Sequence, residues 1–311
     1  MSATVATLRL PRALRDNGAD TVRGIVLITA TYAIMALADV SVKFALPMTG
    51  VAAAILFRGL FGAGTVVAIA GWNGRAGLAR LRPQRLWAVV LRSLLQVVVG
   101  ITWFAAWQSM TLADSYAVGF TTPLLATVFA TVLIGERLDR RRLIATLLGF
   151  AGVLLMLRPG GDLWSPALGF LLAGVTCSAF ARLMTRQLST TEPPECLALA
   201  LLIAHIGAGA LMLPWLPMAG LTWAALGALV ALGALSGVSQ MMMARAYALA
   251  PVSALSPFDY SSMLWAVTFG WLVFGEMPHA AAMQGAVVIA AAGLYSLYGE
   301  QRRHHREKHA A

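Results

Sequence analysis

Asp39, Lys43, Arg58 and Asp259 stand inside long apolar runs, where an ionised group costs ~2.5 kcal/mol or more at mid-bilayer unless it is paired or hydrated. Asp39 and Lys43 share one helical face at i, i+4 and can satisfy each other. Arg58 lies about eight residues into its run, ~12 Å, and Asp39 lies ~9 Å from the matching end of its own. Depths that similar allow an Asp39–Arg58 pair or a shared polar chamber. The plain reading is an ion pair locking two segments together. The chemical one gives Arg58 a carboxylate to hold with its bidentate fork, and gives Asp39 an ammonium. Asp259 follows Pro257 by two residues. It is either a carboxylate solvated by a vestibule or a group that binds an amine or couples a proton.

Prolines mark where such a chamber would form. Pro123 and Pro257 each remove a backbone donor near the middle of an apolar run, freeing carbonyls that membrane helices tolerate only beside protein or a water-filled cavity. Each could be a structural kink alone, but Thr121, Thr122, Ser256, Asp259, Tyr260 and Ser261 cluster beside them and favour a cavity. Trp103, Trp107, Tyr260 and Trp265 belong to the same helices and could form an apolar wall. Trp72, Trp87, Trp223 and Tyr298 end their runs and read as an interfacial belt. Asp114 reads as a helix cap, Arg92 as a side chain snorkelling to the surface, and His205 as a hydrogen-bonded core residue. Gly233-x-x-x-Gly237 and the glycines at 59, 62 and 64 allow close helix packing.

With 59% hydrophobic and 12% charged residues, against roughly 45–50% and 25% in soluble domains, the chain is an all-α integral membrane protein. Its net charge of +10 therefore points to the positive-inside rule, not to nucleic acid. Cys177 and Cys196 lack any metal-ligand spacing and read as buried free thiols. His304, His305 and His309 in a basic tail lack carboxylate or Cys partners and read as solvated, so no metal is expected. No cofactor motif, Walker loop, H-E-x-x-H or G-x-S-x-G occurs. An intramembrane enzyme acting on lipid-linked substrate is the distant alternative.

Cutting the apolar runs at charges, prolines and turns gives about ten helices. They fall near Gly24–Leu46, Gly50–Trp72, Leu86–Trp107, Ala113–Ile134, Leu143–Leu157, Pro166–Met184, Pro194–Leu213, Trp223–Met243, Val252–Phe274 and His279–Tyr298. Residues 1–23 read as a disordered cytoplasmic lead and 299–311 as a basic cytoplasmic tail. Most of the 23 basic residues fall in alternate connections: Arg75 to Arg85, Arg137 to Arg142, Arg182 with Arg186, Arg245 and the two tails. That asymmetry places both termini in the cytoplasm.

Thr111–Arg142 and Ala248–Glu276 are two copies of one pattern. Leu124, Ala126, Phe129, Gly135 and Glu136 align without gaps on Leu264, Ala266, Phe269, Gly275 and Glu276, and Gly119 falls opposite Asp259. Five helices separate the copies, so residues 24–158 and 166–298 read as inverted five-helix repeats, an arrangement used to alternate access to a midplane site.

The pattern L-A-D-S-x-A-x-x-F-x-x-P-L…G-E-R…R-R…G-F-x-G-V-L-L…R-P-G from Leu112 to Gly160, with A-P-V-S-A-L…P-F-x-Y…W…F-G-E-x-P from Ala250 to Pro278, resembles EamA-type members of the drug/metabolite transporter superfamily. Met263, where the first repeat has Pro123, departs from the symmetry. The resemblance implies a ten-helix metabolite carrier, most often an exporter, in a bacterial inner membrane. Cargoes in that family include amino acids and derivatives, riboflavin-like compounds, S-adenosylmethionine and opine-type metallophores.

The leading expectation is a secondary exporter of a small zwitterionic or amphipathic metabolite, favoured over a simple hydrophobic drug by the opposite charges Asp39 and Arg58. The alternative is an uptake carrier for a vitamin or nucleoside-like metabolite. Its partners are the cargo, the lipid bilayer and, through Asp259, protons as the candidate coupling ion. A homodimer is compatible with the sequence, as is a monomer.

Overall fold

The computed structural model describes residues 18–106, 118–135, 140–157, 166–216, 218, 220–274 and, apart from 286, 296 and 297, 284–299. Trp107, Asp114, the Glu136 and Gly275–Glu276 endings and the tail histidines lie outside the described residues, as does the side chain of Lys43.

The described elements are α-helices: α1 Gly18–Trp72, α2 Gly74–Ala79, α3 Leu86–Ala106, α4 Thr122–Ile134, α5 Arg140–Leu157, α6 Pro166–Leu188, α7 Pro194–Met212, α8 Trp223–Leu249, α9 Val252–Asp259 and α10 Ser261–Phe274, with further helical residues within 284–299. Helix occurs in each of the ten expected runs. Six spans among the described residues are long and apolar enough to cross a membrane: Ala19–Leu46, Met48–Trp72, Leu86–Trp103, Leu168–Leu188, Pro194–Met212 and Trp223–Leu249. The chain is a multi-pass membrane protein. Trp72, Trp87 and Trp223 are exposed at run ends.

Some expected boundaries hold and others are corrected. The runs from Gly24 and from Gly50 are two helices, as expected; they are the two limbs of α1, separated by a kink at Gly50 with φ 74°. Glycine takes that left-handed conformation without steric cost, and the limbs turn back on each other there: Ala38 and Ala45 of one share a core cluster with Ala54 of the other, together with Leu229 and Leu232 of α8. The first limb begins at Gly18, so residues 18–23 are helical and not a disordered lead. The segment after Asn73 forms α2 before it turns toward α3.

The two halves interlock. α1 packs along α7 and α8, α3 along α6 and α7, and α4 against α6 and α9. At Gly233 α8 lies tightly on the second limb of α1, since a Cβ there would stand 2.4 Å from that of Phe61 and 2.9 Å from the amide of Gly62. Without hydrophobic drive between helices in lipid, small residues at such crossings supply the dispersion contact.

One end of the bundle is fastened with charge. Glu192, in the turn between α6 and α7, is buried and accepts from the amides of Gln84 (2.9 Å) and Arg85 (2.6 Å), just before α3. Arg80 pairs with Glu195 at 3.2 Å. Arg92 does not snorkel: it is 1% exposed and donates to Thr185 Oγ1 (2.9 Å) and to the Leu197 carbonyl (2.8 Å). Arg186 is not a loop residue either; it is buried and donates to the carbonyls of Tyr247 (2.6 Å) and Ala248 (3.1 Å). Gly24 packs on Ala250 at this end, and the Gly50 turn lies at the other, where Gly220 donates to the Met48 carbonyl at 3.0 Å.

Candidate functional site

Arg58 sits on the second limb of α1, whose neighbouring face is pressed against α7 through Gly59 and Gly62. The side chain lines a narrow, partly open cleft of about 70 Å³. The cleft is lined by Val42, Ile55, Val97, Ile101, Leu232 and His205, with Ala54, Gly100 and Ala208 giving it width. Arg58 Nε is enclosed and has no hydrogen-bond partner. Asp39, accessible on the first limb, is close enough to interact electrostatically with it. Asp39 and Arg58 are thus brought together across the hairpin of α1, as their depths in the sequence suggest.

Asp259 occupies a different place from the one expected. It is not in an open vestibule: it is 3% exposed, accepts a short hydrogen bond from Tyr32 and forms an ion pair with Arg182. Tyr247 also hydrogen-bonds Arg182. Four elements, α1, α6, α8 and α9, meet in this one polar knot. Ile25, Ile28, Leu183, Met243, Ala250, Val252 and Leu255 fill the space around it as a buried core, so the bundle is closed toward the Gly24 end. Tyr32 and Asp39 lie seven residues apart on the first limb, on one face and ~10 Å apart along the axis. A single helix face therefore joins the closed knot to the open cleft.

The helix breaks lie between the halves. Pro123 is not mid-helix: α4 begins at Thr122, and Pro123 falls in its first turn, where a missing donor costs nothing. The residues before it form a separate turn, with Thr121 and Thr122 hydroxyls donating to the carbonyls of Val118 (2.6 Å) and Gly119 (2.7 Å). Pro257 is within α9, which stops at Asp259; α10 restarts at Ser261. Here Ser256 donates to the Val252 carbonyl (2.9 Å) and Ser262 to that of Asp259 (2.8 Å). Side-chain hydroxyls thus satisfy backbone that the breaks expose, as lipid requires.

The aromatic residues divide. Tyr260 is fully buried over Gly149, whose Cβ would stand 2.2 Å from the ring, and touches Phe120; it packs in the core and does not line the Arg58 cleft. Trp103 covers Gly119 at the first break. Trp265 packs against the core around Tyr32 and stacks on Phe269 at 6.1 Å. The Trp265 indole nitrogen, Ser261 Oγ and the Tyr260 hydroxyl are enclosed without hydrogen-bond partners. Sequence reasoning missed Arg182, which it assigned to a cytoplasmic connection. The signal was present: Ala179, Arg182, Leu183 and Arg186 follow a helical stripe at i, i+3, i+4, i+7, and α6 runs past them to Leu188.

Comparison with known proteins bears directly on this arrangement. The model of the EamA-like transporter family matches twice, over residues 22–158 and 164–298. A riboflavin transporter of Vibrio cholerae is 29% identical over 282 residues, covering 87% of this chain and 90% of its own. An S-adenosylmethionine uptake transporter of Rickettsia prowazekii is 22% identical over 79% of this chain and 82% of its own. A pseudopaline exporter of Pseudomonas aeruginosa is 25% identical over 70% and 77%. One crystal structure, 19% identical, superposes with a TM-score of 0.76 over 92% of this chain and 99% of that one, which shows a shared fold. The chain is a transporter of small metabolites and not an enzyme, and it belongs to the EamA-like family of the drug/metabolite transporter superfamily.

Proposed function

We propose that this protein is a secondary carrier for a metabolite of little net charge, bound in the cleft where Arg58 meets Asp39, in a bacterial inner membrane with both termini in the cytoplasm. The observation that supports this most is the unpartnered, enclosed Nε of Arg58, held within electrostatic reach of one carboxylate in a cleft otherwise apolar apart from His205. A buried donor left unmade costs about 1–3 kcal/mol, so the cleft gains by admitting a carbonyl or carboxylate. Because Asp39 and Arg58 have opposite signs, a cargo with strong net charge would meet repulsion from one of them.

Riboflavin is the first cargo to test, since relatives of that name in several bacteria align with most of the chain. Amino-acid-like cargo is the second reading, supported by the Asp39–Arg58 charges and by the pseudopaline exporter. The two halves act as inverted five-helix repeats in a ten-helix bundle, rocking about the breaks at Gly119–Thr121 and Tyr260. The conformation is open toward Gly50 and closed toward Gly24, that is, outward-facing. Asp259, released from Arg182 by a proton, lets the closed end part.

Riboflavin flux into liposomes holding only this chain tests the reading, with S-adenosylmethionine and a zwitterionic amino-acid derivative as parallel cargoes. Flux of none of the three, by protein shown to be folded, would remove it.

A further inference from the structure

His205 reads in the sequence as a core histidine, and half of its ring behaves as one. Its Nδ1 lies 2.9 Å from the Leu201 carbonyl, one turn back in α7. A carbonyl only accepts, so Nδ1 carries the hydrogen and donates it, and the neutral ring then offers Nε2 as an acceptor. The other half of the ring is not core. His205 lines the same cleft as Arg58, the two interact electrostatically, and its neighbours there are the apolar side chains of Val97, Ile101 and Leu232.

The cleft therefore presents donors from Arg58 and, facing the same volume from α7, a fixed neutral acceptor in addition to the Asp39 carboxylate. Arg58 cannot accept, since its guanidinium has no lone pair to offer. The backbone bond from Nδ1 also fixes the ring, so the acceptor cannot swing away when no cargo is bound. We propose that His205 is a specificity-determining residue that accepts an N–H from the cargo while Arg58 donates to an adjacent carbonyl, so that the site selects a planar heterocycle with an imide or ureide edge. This rests on the Arg58 cleft being the cargo site. It deepens that reading by separating an edge with both carbonyl and N–H from a simple carboxylate, which Arg58 alone would hold. Sites built to bond an N–H discriminate well against analogues lacking it, because the buried acceptor is then left unmade.

Riboflavin has such an edge, and its N3-methyl derivative keeps the carbonyls but lacks the N–H. Riboflavin flux is measured in liposomes holding the full chain, with unlabelled riboflavin or N3-methylriboflavin as competitor. The methylated compound should compete roughly three- to tenfold less well, the scale of one lost hydrogen bond. In His205→Phe the two should compete about equally, because the acceptor is gone. His205→Gln, whose side-chain carbonyl can accept in its place, should restore discrimination, which separates lost recognition from a damaged fold. Equal competition in the unaltered chain, or discrimination that persists in His205→Phe, would overturn the role of His205 while leaving the cleft as the cargo site. Absence of any riboflavin flux in the unaltered chain would overturn the cargo reading and this inference with it.

Discussion

The rings of Phe120 and Tyr260 meet with centroids 5.9 Å apart and planes at 42°, and the two residues are equivalents in the alignment that lays Gly135 on Gly275. Each sits at the point where its helix is broken. The breaks are therefore not two separate kinks. They meet in one packed contact, and Gly149 closes on Tyr260 there.

That contact leaves no room for a side chain at position 149. Gly149→Ala would put a Cβ 2.2 Å from Tyr260 Cδ2, and overpacking of this kind costs about 1–3 kcal/mol. The expected result is a melting temperature lowered by several degrees in detergent, read by fluorescence-detected size exclusion. Tyr260→Ala in the same chain should recover part of the loss. If Gly149→Ala melts with the unaltered protein, Tyr260 moves freely and the packed contact is wrong.

Arg58→Ala should abolish transport while the protein still reaches the membrane, because the guanidinium is the donor in the cleft. Arg58→Lys should recover little, as a point charge does not reproduce the fork. The double variant Asp39→Ala/Arg58→Ala decides between roles. Should it transport better than either single variant, the two charges serve only each other.

Asp259→Asn bears on coupling. Breaking one side of a buried ion pair costs about 3–5 kcal/mol, so the closed end should weaken, and with it the dependence on a proton. In liposomes with an imposed pH gradient, the variant should lose proton-driven accumulation and keep exchange of cargo across the membrane. Arg182→Gln should show the same phenotype. Accumulation equal to that of the unaltered chain, with the gradient shown to persist, would leave Asp259 as a structural lock.

Orientation is tested by single cysteines in a background without Cys177 and Cys196. Gly161→Cys should react with an impermeant thiol reagent on intact spheroplasts, and Arg80→Cys should react only after permeabilisation. The reverse pattern would invert the protein in the membrane.

Much of this arrangement was legible because lipid penalises what it cannot solvate. Asp39, Arg58 and Asp259 stood out as charges in apolar runs, and Pro257 as a break, each for a cost that depends on residue type alone. Arg182 was not legible because, close to the end of its run, it counted with Arg186 toward the basic residues of a connection, and a charge tally carries no record of what faces a neighbouring helix. Asp259 could be found by its type, but its partners come from α1, α6 and α8 and are set by packing. Pro123 misled for a related reason: a proline marks the start of a helix as readily as its middle, and only the turn before it tells which.

The clasp at Glu192 bears on whether the two halves can be separated. Its carboxylate, in the half matched by residues 164–298, holds the amides that precede α3 in the other half, while Tyr32 of the first half holds Asp259 of the second. Each half has come to depend on groups that its twin supplies and does not itself possess, since Gly119 stands where the other has Asp259. Neither half, expressed alone and left to pair with itself, should therefore rebuild the closed end of the carrier.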